Sequence, residues 1–193
     1  MPSLLRSLFA VVLLLTAAPA QAGDAEGAKR FIDNVGQQVL DVLKTDDDKA
    51  VKQKKLEKIF TGKVDTQFVA KFVLGQHWPA ATPQQQKDYV AAYGPFVIGN
   101  YANKLTRYSG QQYELKNARA DGDAFLVTMV IIGGESADAQ VDYRLKSSGG
   151  GYQLVDIVVE GVSLLATQRS EFGAIVQNKG MDHLISQLKS SHS

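Results

Sequence analysis

Apolar residues recur every three or four positions before Gly110 and every second position after it. The first spacing is typical of amphipathic helices, and the second is typical of strands with one buried face. Near the end of the chain the helical spacing returns. The sequence therefore predicts an α+β fold, in which helices come first, an antiparallel sheet follows and further helices complete the chain.

Three helices are predicted before residue 80. An apolar stripe at helical spacing runs through residues 24–45, and the segment 49–60 places its apolar residues inward and its lysines outward. Asp65 can cap a third helix, and Gly75 marks its end.

The fourth predicted helix is the longest and has the clearest start. Thr82 is a typical N-cap, Pro83 suits the first helical position, and Gln85 completes a capping box. Further along, Gly94 and Pro95 predict a bend.

Four strands and two helices are predicted after Gly110. The strands are 112–119, 124–132, 139–147 and 151–160, and the helices are 163–178 and 182–189. The turns between the strands are short, so the strands form an antiparallel meander. In the third strand Val141 and Tyr143 alternate with Asp142 and Arg144, which gives the sheet one dry face and one wet face.

The N-terminal segment resembles a secretory signal peptide. It carries one positive charge at Arg6, an apolar run over 8–18 and a small-residue end at Ala20-Gln21-Ala22. We expect cleavage after Ala22 and export, to the periplasm if the source is Gram-negative. Residues 23–193 are then predicted to form a single domain, because no repeat or linker interrupts them.

Composition narrows the class of partner. The 21 Lys and Arg residues nearly balance the 20 Asp and Glu residues, and removal of Arg6 with the signal peptide makes the balance exact. A neutral chain argues against nucleic acid as the main partner. The chain has no Cys and is 45% hydrophobic, so its stability is expected to rest on packing, and we expect a monomer.

The search for catalytic chemistry finds no motif. The three histidines, His77, His183 and His192, have no metal-ligand spacing, so a zinc site would need distant residues, and no cofactor is expected. Ser163 lacks the second glycine of a nucleophile elbow. Asp156 and Glu160 would lie about 13 Å apart on one strand, too far for a carboxylate pair.

Four short motifs, taken in order, resemble the MlaC, or toluene-tolerance, family of periplasmic lipid-binding proteins. They are LGxxW at 74–78, TPxQ at 82–85, EGVS at 160–163 and TQR at 167–169. The resemblance implies a carrier of phospholipid between an outer-membrane lipoprotein complex and an inner-membrane ABC transporter. It also implies a curved sheet and helices that enclose the acyl chains, as in a nuclear-transport-factor-like cup. The loop 133–139 departs from the family pattern because it lacks a proline.

A carrier of this kind must enclose the lipid tails, because each exposed methylene costs about 0.8 kcal/mol. Extending the dry face of the sheet to all four strands predicts one part of the cavity wall, and the facing helices supply the rest. The predicted lipid-binding residues are Tyr113, Leu115, Val127, Met129, Ile131, Val141, Tyr143, Val155 and Ile157 from the sheet, and Phe72, Trp78, Phe96, Tyr101, Leu105 and Leu165 from the helices.

Several alternatives remain open at this stage. The chain fits a small cone-fold enzyme acting on an apolar substrate, an adaptor without a cavity, or a carrier of another lipid such as a hopanoid. The enzyme is disfavoured because strand parity turns Asp142, Arg144 and Asp156 away from the cup. Trp78 is interpreted either as a core plug or as a ligand contact, and His77 as a joint residue.

Two joints are predicted to move when lipid enters, 75–81 between helices and 161–163 where the sheet meets a helix. Arg169 lies one turn beyond the second joint. It is expected at the surface, where it either meets a phosphate or a partner carboxylate, or pairs with an acid such as Glu171.

Overall fold

Six α-helices and one antiparallel sheet make up the part of the chain that the structure, a computed structural model, describes: residues 24–107, 110–133 and 138–191. The predicted signal peptide, His192 and residues 134–137 of the loop after the second strand lie outside these ranges. The predicted α+β class is confirmed.

The elements follow the predicted order closely. The helices are α1 Ala25–Leu43, α2 Lys49–Phe60, α3 Thr66–Leu74, α4 Pro83–Leu105, α5 Leu164–Lys179 and α6 Met181–Ser190, with a 3₁₀ turn at Gly75–His77. The strands are β1 Gln112–Asp121, β2 Ala124–Ile132, β3 Ala139–Ser148, β4 Gly151–Val159 and β5 Val162–Ser163.

Short polar side chains cap the N-termini of five of the six helices. The side chains of Asp24, Asp48, Asp65, Thr82 and Ser163 each accept a hydrogen bond from a backbone N–H in the first turn of the helix that follows. Thr82 and Gln85 form the predicted capping box. The helix α4 continues through Pro95 to Leu105.

The sheet is a meander whose strands pair in chain order, all antiparallel. The structure has one strand more than the four predicted. Glu160 and Gly161 have φ values of 48° and 79°, which fit a two-residue hairpin turn that folds the chain back along β4 before α5 begins.

A bulge in β4 changes which side chains share the dry face. Arg144 pairs with Asp156, but the next residue, Leu145, pairs with Leu154, so Val155 is the extra residue. Strict alternation along β4 predicted that Leu154 lies on the wet face. Because of the bulge, Leu154 instead lies on the dry face beside Leu145.

Buried apolar residues form three clusters. One joins α3, α4, α5 and α6 around Tyr89 and Tyr93, and a second joins α1 to the sheet around Ala28 and Val127. The third joins α1, α2 and α4 around Leu56. The two pockets described below are lined by members of these clusters.

Candidate functional site

Pocket 1, a cavity of about 130 Å³, lies between α1, the end of α4 and the dry face of β1, β2 and β3. The helix α1 contributes seven of its lining residues, which recur along one face: Phe31, Ile32, Val35, Gly36, Val39, Leu40 and Leu43. Almost all of the lining is apolar. Such a cavity favours hydrocarbon over any polar ligand.

The wall made by α1 is held to the sheet by Tyr113. Its hydroxyl donates to Oδ1 of Asp33 at 3.0 Å and accepts from Nε2 of Gln37 at 2.9 Å. Burial, followed by the hydrogen bond to Asp33, raises the pKa of Tyr113 to about 12, so the hydroxyl keeps its proton at neutral pH. A Cβ at Gly36 would lie 2.8 Å from the Tyr113 ring, so glycine permits this close approach.

Pocket 2, a cavity of about 100 Å³, lies between α3, α4, α5 and β4. Its apolar lining includes Val69, Val97 and Leu164. Four polar side chains also line it: Asn100, Lys104, Asp156 and Gln168. Pocket 2 therefore combines an apolar interior with hydrogen-bonding groups, which pocket 1 largely lacks.

Three residues, Phe60, Tyr101 and Leu154, line both pockets and form the partition between them. The rings of Phe60 and Tyr101 meet edge to face at 5.0 Å between centroids. The backbone of Leu154 bonds to the carbonyl of Lys63 at 2.8 Å and to the N–H of Asp65 at 3.0 Å. The structure thus has two adjacent pockets where a single cavity was predicted.

The buried polar groups of pocket 1 are tyrosine hydroxyls. Those of Tyr101 and Tyr143 are 3.5 Å apart, and Tyr143 also donates to Sδ of Met129 at 3.7 Å. Burial raises the pKa of both tyrosines above the ordinary value, and that of Tyr143 well above it. Both hydroxyls stay neutral, which suits an apolar ligand.

Asp156 lines pocket 2, although strand parity predicted that it points away from the cup. Asp156 pairs with Arg144 across β3 and β4, and its hydrogen bonds to the start of α5 hold it in the pocket wall. The Asp156 carboxylate accepts from the N–H groups of Ile157 at 2.8 Å and Leu165 at 3.2 Å, and from the Ser163 hydroxyl at 2.7 Å. It therefore fixes the start of α5 against β4.

Nine of the fifteen predicted lipid-binding residues line the two pockets. They are Tyr101, Leu105, Tyr113, Met129, Ile131 and Tyr143 in pocket 1 and Tyr101, Val155, Ile157 and Leu165 in pocket 2. Contact of these residues with lipid stays a prediction.

The other six lie outside both pockets, because their side chains pack elsewhere in the interior or lie at the surface. Phe96 and Trp78 pack against the helical cluster, Leu115 and Val127 belong to the cluster between α1 and the sheet, and Val141 is buried in β3. Phe72 is 41% exposed, with the Arg169 guanidinium 5.0 Å from its ring.

The sequence-based list omitted the α1 face, Phe60 and Leu154. The apolar stripe over 24–45 contains the α1 face, so the sequence does show that this face is buried. It does not show that α1 covers the sheet. No pattern in the sequence marks the bulge that turns Leu154 inward.

Neither pocket contains the 75–81 joint or Arg169. The joint is tied to α4 by Nε2 of Gln86, which donates to the Trp78 carbonyl at 2.8 Å. A Cβ at Gly75 would lie 2.6 Å from the Arg169 guanidinium, so the two are in close contact. No acidic side chain of the described ranges forms an ion pair with Arg169.

Two structural features are absent from the described part of the chain. No group of three His, Cys, Asp or Glu side chains there is arranged to hold a metal ion. No helix there has the length and apolar character needed to cross a membrane.

Comparison with known proteins identifies the family. The family model described as MlaC protein matches residues 33–190. This chain belongs to the MlaC family. The resemblance drawn from the four motifs is thereby confirmed.

Two curated relatives carry names that refer to lipid transport and to solvent tolerance. The intermembrane phospholipid transport system binding protein MlaC of Haemophilus influenzae is 25% identical over 135 residues, which cover 67% of this chain and 63% of that protein. The toluene tolerance protein ttg2D of Pseudomonas putida is 26% identical over 129 residues, which cover 66% and 60%. The chain thus spans about three-fifths of the length of these relatives.

A solved structure shares the fold. It is the phospholipid-binding protein from Ralstonia solanacearum in complex with a phospholipid, with a TM-score of 0.72 and 21% sequence identity. The match covers 88% of this chain and 97% of that chain. The helices and the meander sheet of the MlaC chain are therefore an established architecture.

Proposed function

We propose that this protein is a carrier that holds the two acyl chains of one phospholipid, one chain in pocket 1 and one in pocket 2. The observation that carries the proposal is the pair of apolar pockets on either side of Phe60, Tyr101 and Leu154. A diacyl lipid has two chains joined at one glycerol, so two neighbouring pockets with a common wall match its shape. Burial of the chains supplies the driving force.

The partition favours a diacyl lipid over a hopanoid. A hopanoid is a rigid fused-ring molecule that needs one wide cavity, whereas the edge-to-face contact of Phe60 and Tyr101 divides the space in two. Two flexible chains can instead enter on either side of these rings, and pockets of about 130 and 100 Å³ must widen to take whole chains.

We further propose that the carrier is exported to the periplasm as a monomer after removal of residues 1–22. It then moves phospholipid between an outer-membrane lipoprotein complex and an inner-membrane ABC transporter. The family assignment, the name of the Haemophilus influenzae relative and the signal-peptide pattern support this role. The protein binds its lipid without converting it, so its task ends with release.

Lipid content tests the proposal. The purified protein is extracted with organic solvent, and the extract is examined by mass spectrometry for diacyl lipid. Ile131→Trp places a larger side chain in pocket 1 and is expected to remove most of the diacyl lipid. Ile132→Trp is the matched control, because Ile132 is 37% exposed and lines neither pocket.

Melting curves of both variants accompany the assay, since overpacking can cost about 1–3 kcal/mol. Wild-type lipid content in a folded Ile131→Trp variant would overturn the assignment of pocket 1. Absence of diacyl lipid from the wild-type protein would overturn the carrier.

A further inference from the structure

The polar side chains of pocket 2 are not explained by the burial of an acyl chain. Asn100 and Lys104 come from α4, Asp156 from β4 and Gln168 from α5. An unpaired polar group in contact with hydrocarbon is unfavourable, so the groups that face the interior need partners, whereas those at the surface can bond to water. Which of them already has one decides what else the pocket can bind.

Asp156 is fully engaged within the protein. Its two oxygens accept three hydrogen bonds, from two backbone N–H groups and one hydroxyl. Its negative charge also lies at the N-terminal end of α5, where the helix dipole offsets it. Asp156 is therefore a structural group of the pocket wall.

The remaining groups are hydrogen-bond donors with free capacity. The side-chain oxygen of Gln168 accepts from the Tyr93 hydroxyl at 2.7 Å, which leaves the Gln168 amide nitrogen without a partner in the described ranges. Within the same ranges the Lys104 ammonium forms no ion pair and no side-chain hydrogen bond. Pocket 2 thus presents one full positive charge and at least one free N–H donor.

These donors follow a gradient from solvent to interior. Asn100 and Lys104 lie one helical turn apart on the same face of α4, and both are exposed. Gln168 is half-buried, and Leu165, one turn earlier on α5, is buried. The charged donor therefore lies at the mouth of pocket 2, and the apolar wall lies behind it.

We propose that Lys104, together with Asn100 and Gln168, binds the anionic phosphate oxygens of the lipid headgroup at the mouth of pocket 2. This assignment rests on the carrier function proposed above. A lysine ammonium suits phosphate because it is a compact charge with three donors, and an amide adds a directed hydrogen bond. Lys104 also lies in the last turn of α4, where any cation is favourable, so the test has to separate the two roles.

The experiment uses short-chain lipids that stay monomeric in solution. Delipidated full-length protein is titrated by calorimetry with dioctanoyl phosphatidylglycerol, which carries a phosphate, and with dioctanoylglycerol, which has the same chains without it. The variants are Lys104→Gln, which removes the charge, and Lys104→Arg, which keeps it. Lys87→Gln is the matched control, because Lys87 lies on the same helix but lines neither pocket.

Lys104→Gln is expected to weaken binding of the phosphatidylglycerol by about tenfold, the usual effect of losing one charge-assisted hydrogen bond. Its affinity for dioctanoylglycerol is expected to match that of the wild type. Lys104→Arg should restore most of the phosphatidylglycerol affinity, and Lys87→Gln should change neither ligand. A purely helical role for Lys104 would instead lower the melting temperature and leave the ratio of the two affinities unchanged.

Equal phosphatidylglycerol affinities of Lys104→Gln and wild type would overturn the headgroup site, even where both bind lipid. Failure of the wild type to bind either lipid would overturn the carrier function itself. The last titration uses free glycerol 3-phosphate, which has a phosphate but no acyl chains. Glycerol 3-phosphate that binds the wild type as tightly as dioctanoyl phosphatidylglycerol, with this binding lost in Lys104→Gln, would assign the site to free phosphate esters and overturn its role in headgroup binding.

Discussion

The two pockets share a partition but have walls of different kinds. Pocket 1 is closed on one side by α1, an amphipathic helix held to the sheet by apolar contacts and by the Tyr113 hydroxyl. Pocket 2 is closed by the start of α5, which the Asp156 carboxylate fixes to β4. The difference fits the division of labour proposed above, in which pocket 1 holds one tail and pocket 2 also carries donors for the headgroup at its mouth.

The largest expected effect comes from filling the partition. Leu154→Trp places a larger ring where both pockets meet, so neither pocket should accept a chain. Ile131→Trp fills pocket 1 alone. We expect Ile131→Trp to keep binding a single-chain lysophospholipid through pocket 2, and Leu154→Trp to lose diacyl and single-chain lipids alike, measured by calorimetry.

Val162→Trp serves as the control for this comparison, because Val162 is highly exposed and lines neither pocket. A cost of about 1–3 kcal/mol from overpacking is expected for Leu154→Trp and is followed by denaturant unfolding. If Leu154→Trp bound the lysophospholipid like the wild type, the two pockets would not share this wall.

The sequence predicts the lining of pocket 1 better than that of pocket 2. Pocket 1 is built by regular periodicity: the stripe of α1 and the alternation in β1, β2 and β3 place Tyr113, Met129, Ile131 and Tyr143 correctly on the dry face. Only the pairing of α1 with the sheet was missing, because a stripe shows that a face is buried and not what covers it.

Pocket 2 depends on irregular features, and these are harder to predict. The bulge at Val155 brings Leu154 onto the dry face, and nothing in the local pattern marks it. The helix that carries Phe72 gives a related lesson. Its buried residues, which include Val69 and Val73, pack against the other helices, and this leaves Phe72 at the surface. Spacing alone does not determine which face of the helix packs in this way.

A smaller effect is expected from a change at Gly36, the position on α1 that the Tyr113 ring contacts. In Gly36→Ala the new methyl group would approach the Tyr113 ring to 2.8 Å, so the ring or the helix must shift. The gain in helix propensity of about 1 kcal/mol opposes this strain, and we expect a net loss of about 1–2 kcal/mol in the free energy of unfolding.

The control for Gly36→Ala is Gly173→Ala in α5. A Cβ there would meet its nearest neighbour, Nε2 of His77, at 3.7 Å, an ordinary contact. We expect this variant to gain about 0.5–1 kcal/mol in denaturant unfolding, because alanine restricts the unfolded chain. A Gly36→Ala protein that gained as much would show that α1 does not depend on the close approach of Tyr113.

The smallest effect concerns how alkaline pH acts on the α1 wall. The folded pKa of Tyr113 is about 12, raised mainly by burial and then by Asp33, whereas an unfolded tyrosine titrates near the ordinary value of 10.0. Between these values the folded state binds more protons than the unfolded state, so stability must fall as pH rises. The contribution is fully present below about pH 10 and is lost progressively towards pH 12.

Tyr113→Phe removes the titrating hydroxyl, and its unfolding free energy should decline less steeply over this range than that of the wild type. Since the other tyrosines with raised pKa values, Tyr89, Tyr93, Tyr101 and Tyr143, are present in both proteins, the difference between the two pH profiles isolates Tyr113. Identical slopes would mean that folding does not raise the pKa of Tyr113, and that its hydroxyl is neither desolvated nor bonded to Asp33 in the folded protein.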